Sequence, residues 1–141
     1  LFIFSYNDEH KVNPILRDRM YRIQTQGYNC KQKKTISRDY LIPKIEENVR
    51  FNKGEITITD KAIEYMVREY TQGEKGVRNL KRCLEIIYTK LNMYRLMKPN
   101  TKLFNDVETF QVQYPFNVNE EIVQKLIKKN ENDTFYRHMY V

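Results

Sequence analysis

The sequence contains few of the residues from which disulfide frameworks and metal sites are built. It has two cysteines, Cys30 and Cys83, and two histidines, His10 and His138, none of which forms a C-x-x-C or cysteine–histidine cluster. We therefore predict no disulfide framework and no zinc site. Isolated cysteines suit a reducing compartment, so we expect an intracellular location in the cytoplasm or an organelle matrix.

Long apolar runs are also missing. No run reaches the roughly 18–20 residues that a membrane helix needs, and the opening LFIF is too short for a signal peptide and follows no basic segment. Because the sequence does not begin with methionine, we expect a portion of a longer protein. There is no GxxxxGK[ST] phosphate loop, so the chain by itself is not expected to hydrolyse a nucleoside triphosphate.

The composition, with 40% hydrophobic and 30% charged residues, is typical of a globular domain. The net charge of +7 makes an anionic partner plausible: nucleotide phosphates, nucleic acid or an acidic protein. The positive charge is dispersed, and the nearest approach to a cluster is Lys31, Lys33, Lys34 and Arg38. Such a group is more often the solvated face of a helix than a binding patch.

The stretch from Gly76 to Met97 predicts one long amphipathic helix, because apolar residues recur at steps of three and four. They are Val77, Leu80, Leu84, Ile87, Leu91 and Tyr94. Arg78 lies beside this stripe on the first turn. The start of a helix favours anions, and a guanidinium there adds a fork that can bind phosphate oxygens.

The first 28 residues predict the last strands of an α/β domain. Residues 1–6 read as a buried strand that ends at Asn7, and residues 21–26 alternate as a second strand. In open parallel sheets, ligands bind at the carboxyl ends of the strands, where Asn7 would lie. Between the two strands, Asn13-Pro14 predicts the start of a short helix over Ile15–Arg19.

From Asn29 onward the pattern is mainly helical. Helix starts are predicted at Asn29, Pro43, Thr59 and Asn119. Short strands are predicted at 55–58 and 116–118, and the second is expected to pair with residues 56–58. On the first of these helices, Lys33, Ile36, Tyr40 and Leu41 give a modest inward face. Residues 102–113 are predicted to be loop. The expected organisation is the end of an α/β subdomain (1–28), a helical domain of four to five helices with a two-stranded β ribbon (29–129), and a tail (130–141).

Three stretches, taken in this order, resemble the C-terminal part of the AAA+ ATPase module of Lon-type proteases. They are FSYND with NPILRDRM, GYNCKQKKTISRDYLIPKIEEN, and YTQGEKGVRNLKR. Residues 1 to about 129 take part in the resemblance. It implies a fold in which the helical domain is the AAA+ lid, preceded by the last strands of the nucleotide-binding subdomain.

The resemblance also implies roles for three residues. Asn7 would be sensor 1, which orients the attacking water; Arg19 would be an arginine finger acting on the nucleotide of the neighbouring subunit; Arg78 would be sensor 2, which contacts the γ-phosphate of ATP. The implied cofactor is ATP with Mg²⁺ in the complete protein. The implied assembly is a homo-oligomeric ring, expected to be a hexamer, that acts on protein substrates.

Some features depart from this family. Arg17 stands where Lon proteases usually have an aliphatic residue, and it lies only two residues from Arg19, so the two cannot both serve as the finger. The two serines, Ser5 and Ser37, do not lie in a serine–lysine peptidase motif. Two alternatives therefore stay open: the lid of a non-protease AAA+ ATPase, or a basic helical module rich in tyrosine that binds nucleic acid, although basic and aromatic residues do not alternate as a stacking platform requires.

Overall fold

The computed structural model of the protein describes residues 1–96 and 114–127. In these residues the fold is mainly helical with a small two-stranded parallel sheet, which confirms the predicted fold class. The elements in chain order are a 3-10 turn (Glu9–Lys11), α1 (Pro14–Arg17), α2 (Cys30–Ile36), α3 (Ile42–Val49), β1 (Ile56–Ile58), α4 (Asp60–Glu69), α5 (Arg78–Leu96), β2 (Phe116–Val118) and α6 (Glu120–Leu126).

Side-chain caps set the starts of α2, α4 and α6, as the sequence predicted. Asn29 accepts a hydrogen bond from the backbone N–H of Gln32 at 2.8 Å, while its own N–H donates to the Gln32 side chain at 2.9 Å. Thr59 and Asn119 accept in the same way from the amide three residues later, at 3.2 and 3.0 Å. Each cap satisfies an amide that the helix leaves unpaired, so these starts are determined locally.

Helices α2 and α3 run on through a π-helical turn at Ser37–Leu41, rather than stopping before Pro43 as predicted. Proline lacks an N–H and its ring clashes with the carbonyl four residues earlier. The wider turn, in which the N–H of Ile42 donates to the carbonyl of Ser37, accommodates it. The extra residue also moves the inward face: Ser37 is buried, whereas Tyr40, predicted to face inward, is exposed.

Helix α5 supplies the centre of the hydrophobic core. Its residues Leu80, Leu84, Ile87 and Leu91 are almost fully buried, as the periodicity predicted, and Tyr94 packs against the core from its edge. Helices α3, α4 and α6 all pack on α5. They contribute Ile45, Ala62, Ile63, Met66, Val123 and Leu126.

The predicted pairing of the two short strands is confirmed. β1 and β2 are parallel, with Ile56 opposite Phe116 and Ile58 opposite Val118. Ile56, Ile58 and Val118 are buried, so the sheet presents one apolar face to the helices. The backbone N–H of Thr59 donates to the Val118 carbonyl at 3.1 Å, which ties the start of α4 to the sheet.

The prediction that residues 1–6 and 21–26 form strands is wrong for this chain. Both segments lack regular structure, and Leu1, Phe2, Ile3, Tyr21 and Ile23 are exposed. A strand is stabilised by hydrogen bonds to neighbouring strands, and no described residue pairs with either segment. Helix α1 is also shorter than predicted and ends at Arg17.

Several predictions fall on residues that the structure does not describe. They are the loop at 102–113, the tail from residue 130 and the end of the long helix near Pro99. The division of the chain at residues 28 and 129 likewise stays a prediction.

Replacing Tyr88 by phenylalanine tests the buried polar contact in the core. The hydroxyl of fully buried Tyr88 donates to Oε1 of Glu46 at 3.0 Å, and burial followed by the nearby carboxylate raises the pKa of Tyr88, which keeps the donor protonated. We expect Tyr88→Phe to lower the free energy of unfolding by about 1–3 kcal/mol in urea, because a buried carboxylate loses its donor. Tyr40→Phe, at an exposed tyrosine, is the control; equal losses for the two variants would contradict the contact's role.

Glu55 is expected to make a contribution to stability that depends on pH. Its carboxylate accepts from the side chain and backbone N–H of Asn52 at 2.8 and 2.9 Å, and these bonds, with Arg95 nearby, lower its pKa from 4.5. A lowered pKa means that the stabilisation is present above pH 4.5 and is lost as the pH falls through the lowered value. We therefore expect Glu55→Gln to make thermal stability fall less steeply with acid. The exposed Glu47→Gln should follow the unchanged protein, and parallel curves for all three would refute the prediction.

Candidate functional site

The start of α5 is the best candidate for an anion-binding position. The helix begins at Arg78, whose side chain is exposed, and the N–H of Lys81 donates to the Val77 carbonyl at 2.8 Å. The carboxylate of Glu74 accepts from the N–H of Asn79 at 2.9 Å, so one of the free amides of this helix start is already occupied. Phosphate binding here would therefore depend chiefly on the guanidinium of Arg78, and less on the helix amides than the sequence implied.

An open groove of about 550 Å³ is lined in part by the loop that precedes this helix start. One wall is formed by residues 24–29 and the other by residues 73–75. The walls meet where the N–H of Tyr28 donates to the Lys75 carbonyl at 2.8 Å. The groove thus lies between the segment that precedes α2 and the loop that precedes Arg78.

A glycine and a local backbone hydrogen bond determine the conformation of the loop before Arg78. Gly73 has a φ of +75°, a left-handed conformation that favours glycine. The N–H of Glu74 donates back to the Thr71 carbonyl at 3.1 Å, which closes a tight turn after α4. This turn directs the chain from the end of α4 into α5.

Arg19 and Arg17 have different surroundings. Arg17 Nε lies 3.9 Å from Oε1 of Glu9, and Arg22 forms a hydrogen-bonded ion pair with the same carboxylate. Arg19 lies in the turn after α1, is exposed, and its side chain makes no hydrogen bond or ion pair with any residue in 1–96 or 114–127. Of the two arginines, Arg19 is the one available to a partner.

Asn7 is exposed and lies in a bend before the 3-10 turn at Glu9–Lys11. The strand that was predicted to position it is absent, so its proposed role gains no support from local structure. Asn7 and Arg19 share the segment 1–28, and this segment reaches the loop before Arg78 through Tyr28. The three predicted residues are therefore connected by the chain and by this one backbone contact.

The basic cluster of α2 and its π turn is largely used within the protein. Lys33 is buried and donates to the Glu74 carbonyl at 2.6 Å, Lys34 pairs with Glu64 at 2.6 Å, and Arg38 pairs with Asp60. The bond to Glu64 raises the pKa of Lys34. Three of the four cations thus have intramolecular partners, which argues against a nucleic-acid-binding surface at this helix.

In the part of the chain that the structure describes, we find no candidate metal site, and the buried cysteine lacks the features of a reactive thiol. Within this part, no three histidine, cysteine or acidic residues are grouped to hold a metal ion. Cys30 is exposed, whereas burial raises the pKa of Cys83 to about 11, which makes this thiol unreactive at neutral pH. Among the described residues we find no candidate for a membrane-spanning helix.

Sequence reasoning missed Gly27, Lys33 and Glu74, which join the two walls of the groove. Periodicity places Lys33 on a helix face, and no sequence pattern distinguishes Glu74. Only their contacts in the folded chain show what they do. A glycine directly before a tyrosine and a capping asparagine was the one local signal of a close backbone approach.

Comparison with known proteins gives one family and many relatives. Residues 47–103 match the Lon protease AAA+ ATPase lid domain. A Lon protease homolog of Acanthamoeba polyphaga mimivirus is 41% identical over 95 residues, which is 67% of this chain. The Lon protease of Aquifex aeolicus is 33% identical over 127 residues, or 90% of the chain, and the mitochondrial Lon protease homolog of Caenorhabditis briggsae is 36% identical over 90 residues, or 64%. The chain spans only 9% to 14% of the length of these relatives.

Proposed function

The chain carries a lid domain of the Lon protease AAA+ ATPase family, and we propose that this lid senses bound ATP and couples its hydrolysis to the movement of protein substrates. The complete protein would be an ATP-dependent serine protease that assembles as a homo-oligomeric ring of six subunits, in the cytoplasm or an organelle matrix. The observation that carries the proposal is the position of Arg78, exposed on the first turn of the long core helix α5.

The residues present fit one side of an ATP site. Arg78 offers a guanidinium for phosphate oxygens, and the groove between residues 24–29 and 73–75 is lined by the loop that precedes Arg78 in the chain. Hydrolysis of ATP would supply the free energy for substrate unfolding and translocation. The sequence contains no phosphate loop, and the described residues of the chain include no acidic cluster that could hold Mg²⁺. We therefore assign the phosphate loop and the Mg²⁺ ligands to the rest of the complete protein.

The proposed mechanism depends on α5 transmitting a movement of Arg78 to the rest of the lid. Arg78 would bind the γ-phosphate within its own subunit, and because α5 is packed on α3, α4 and α6, its movement would rotate the lid as one body. Arg19 would stabilise the charge that develops on the nucleotide of the neighbouring subunit, and Asn7 would orient the attacking water. The proposal for Arg19 is supported by its exposure and by the absence of a described residue that binds its side chain.

Replacing Arg78 tests the sensing role. In the complete ATPase we expect Arg78→Ala to lower ATP turnover on the order of 10²-fold, because a charge-assisted contact to the transferred phosphate is lost. The matched control is Lys81→Ala, another cation on the first turns of α5, which pairs with Glu85 at 3.4 Å and should retain its activity. If Arg78→Ala left ATP turnover unchanged, the proposed sensing role would be refuted.

Mixing two inactive variants tests whether Arg19 acts between subunits. Arg19→Ala alone is expected to lose on the order of 10³-fold in turnover. In rings assembled from Arg19→Ala and Arg78→Ala subunits, some interfaces combine an intact Arg78 with an intact neighbouring Arg19, so part of the activity should return. Mixed rings that stay inactive would rule out action between subunits, and Arg17→Ala should be active on its own.

A further inference from the structure

The joint between segment 27–33 and loop 73–75 is held first by a close backbone approach. A Cβ atom at Gly27 would lie 2.8 Å from Cβ of Lys75 and 3.0 Å from its carbonyl oxygen, which is too close for any other residue without a shift. The next residue, Tyr28, donates its N–H to that same carbonyl at 2.8 Å. The position of Lys75 is therefore determined by the segment that enters α2.

A buried lysine makes the second contact of the joint. Lys33 is only 4% exposed, and its ammonium group donates to the carbonyl oxygen of Glu74 at 2.6 Å. Burying an ammonium group is costly unless it is hydrogen-bonded. This bond therefore keeps loop 73–75 against α2, because loss of the contact would leave a buried charge without that acceptor.

The third contact connects loop 73–75 to the first turn of α5. The carboxylate of Glu74 accepts from the N–H of Asn79, the residue after Arg78. The other oxygen of this carboxylate is buried and has no partner among the described residues, so the side chain is enclosed by protein. The backbone of Glu74 is thus held by Lys33, while its side chain holds the first turn of α5.

We propose that Gly27, Lys33 and Glu74 are positioning residues that set the place of Arg78 relative to the segment carrying Arg19. The inference rests on the proposed role of Arg78 as the ATP sensor. If residues 1–28 move against α2, the contact between Tyr28 and Lys75 moves the start of α5 with them. If Arg78 moves, the same contact displaces residues 1–28. The joint therefore couples the sensor of one site to the finger that serves the next.

The test uses two substitutions in the complete ATPase, each with a matched control. Gly27→Ala inserts a methyl group against Lys75, and its control is Gly76→Ala, whose Cβ would meet nothing within 4 Å. Lys33→Met removes the buried donor, and its control is Lys31→Met at an exposed lysine of the same helix. For each variant, kcat and KM for ATP are measured in two backgrounds, with Arg78 intact and with Arg78→Ala.

With Arg78 intact, we expect Gly27→Ala and Lys33→Met each to lower kcat/KM by about tenfold to a hundredfold, since small misplacements of a catalytic group have effects of this order. In the Arg78→Ala background the same substitutions should have no further effect, because they act through a side chain that is gone. The two controls should be silent in both backgrounds. A purely structural role would instead lower activity in both backgrounds alike.

The outcomes separate this inference from the function on which it rests. If Arg78→Ala alone has no effect, the proposed function fails and the positioning role fails with it. If Arg78→Ala is inactive but Gly27→Ala and Lys33→Met are silent, or add their full loss to that of Arg78→Ala, only the positioning role is overturned. Hydrogen exchange at the Tyr28 amide checks the geometry: Gly27→Ala should speed exchange there and Gly76→Ala should not, and unchanged exchange in Gly27→Ala would count against the joint.

Discussion

Burial of the apolar face of α5 is the constraint on which the rest of the lid depends. Burying a side chain such as Leu80, Leu84, Ile87 or Leu91 contributes about 1.5–3 kcal/mol, and all four lie in one stripe. A stripe of this length cannot be covered by one neighbour, so α3, α4 and α6 surround it. Because Arg78 begins the same helix, its position follows from how the core packs.

Polar contacts join α5 to its neighbours at three places along its length. Tyr88 reaches from α5 to a carboxylate on α3, and Arg95 lies over the ring of Phe51 at 4.3 Å near the other end of the helix. At the first turn, Glu74 takes the place of an ordinary capping residue. α5 is thus held by polar contacts at its start, at Tyr88 and at Arg95.

Local features were predicted more reliably than long-range ones, although the long-range pairing of β1 with β2 was also predicted. The caps at Asn29, Thr59 and Asn119 were predicted correctly because each joins groups three residues apart. The strand predicted at residues 1–6 was wrong, because a strand depends on neighbouring strands that no periodicity can supply. Tyr40 was misplaced because the π turn at Ser37–Leu41 adds a residue to the helical period that the prediction assumed constant.

The sequence by itself determined the helix starts, the buried stripe of α5 and the motifs by which the chain resembles Lon-type lids, since these depend on spacing along the chain. The tertiary structure alone decided that Lys33 is a buried donor rather than a surface charge, and that a Cβ atom at Gly27 would force a shift because Lys75 packs against it. It also decided the parallel direction of the β1–β2 pair. The reason is the same in each case: Lys33 and Glu74 lie 41 residues apart, and only folding brings such groups within bonding distance.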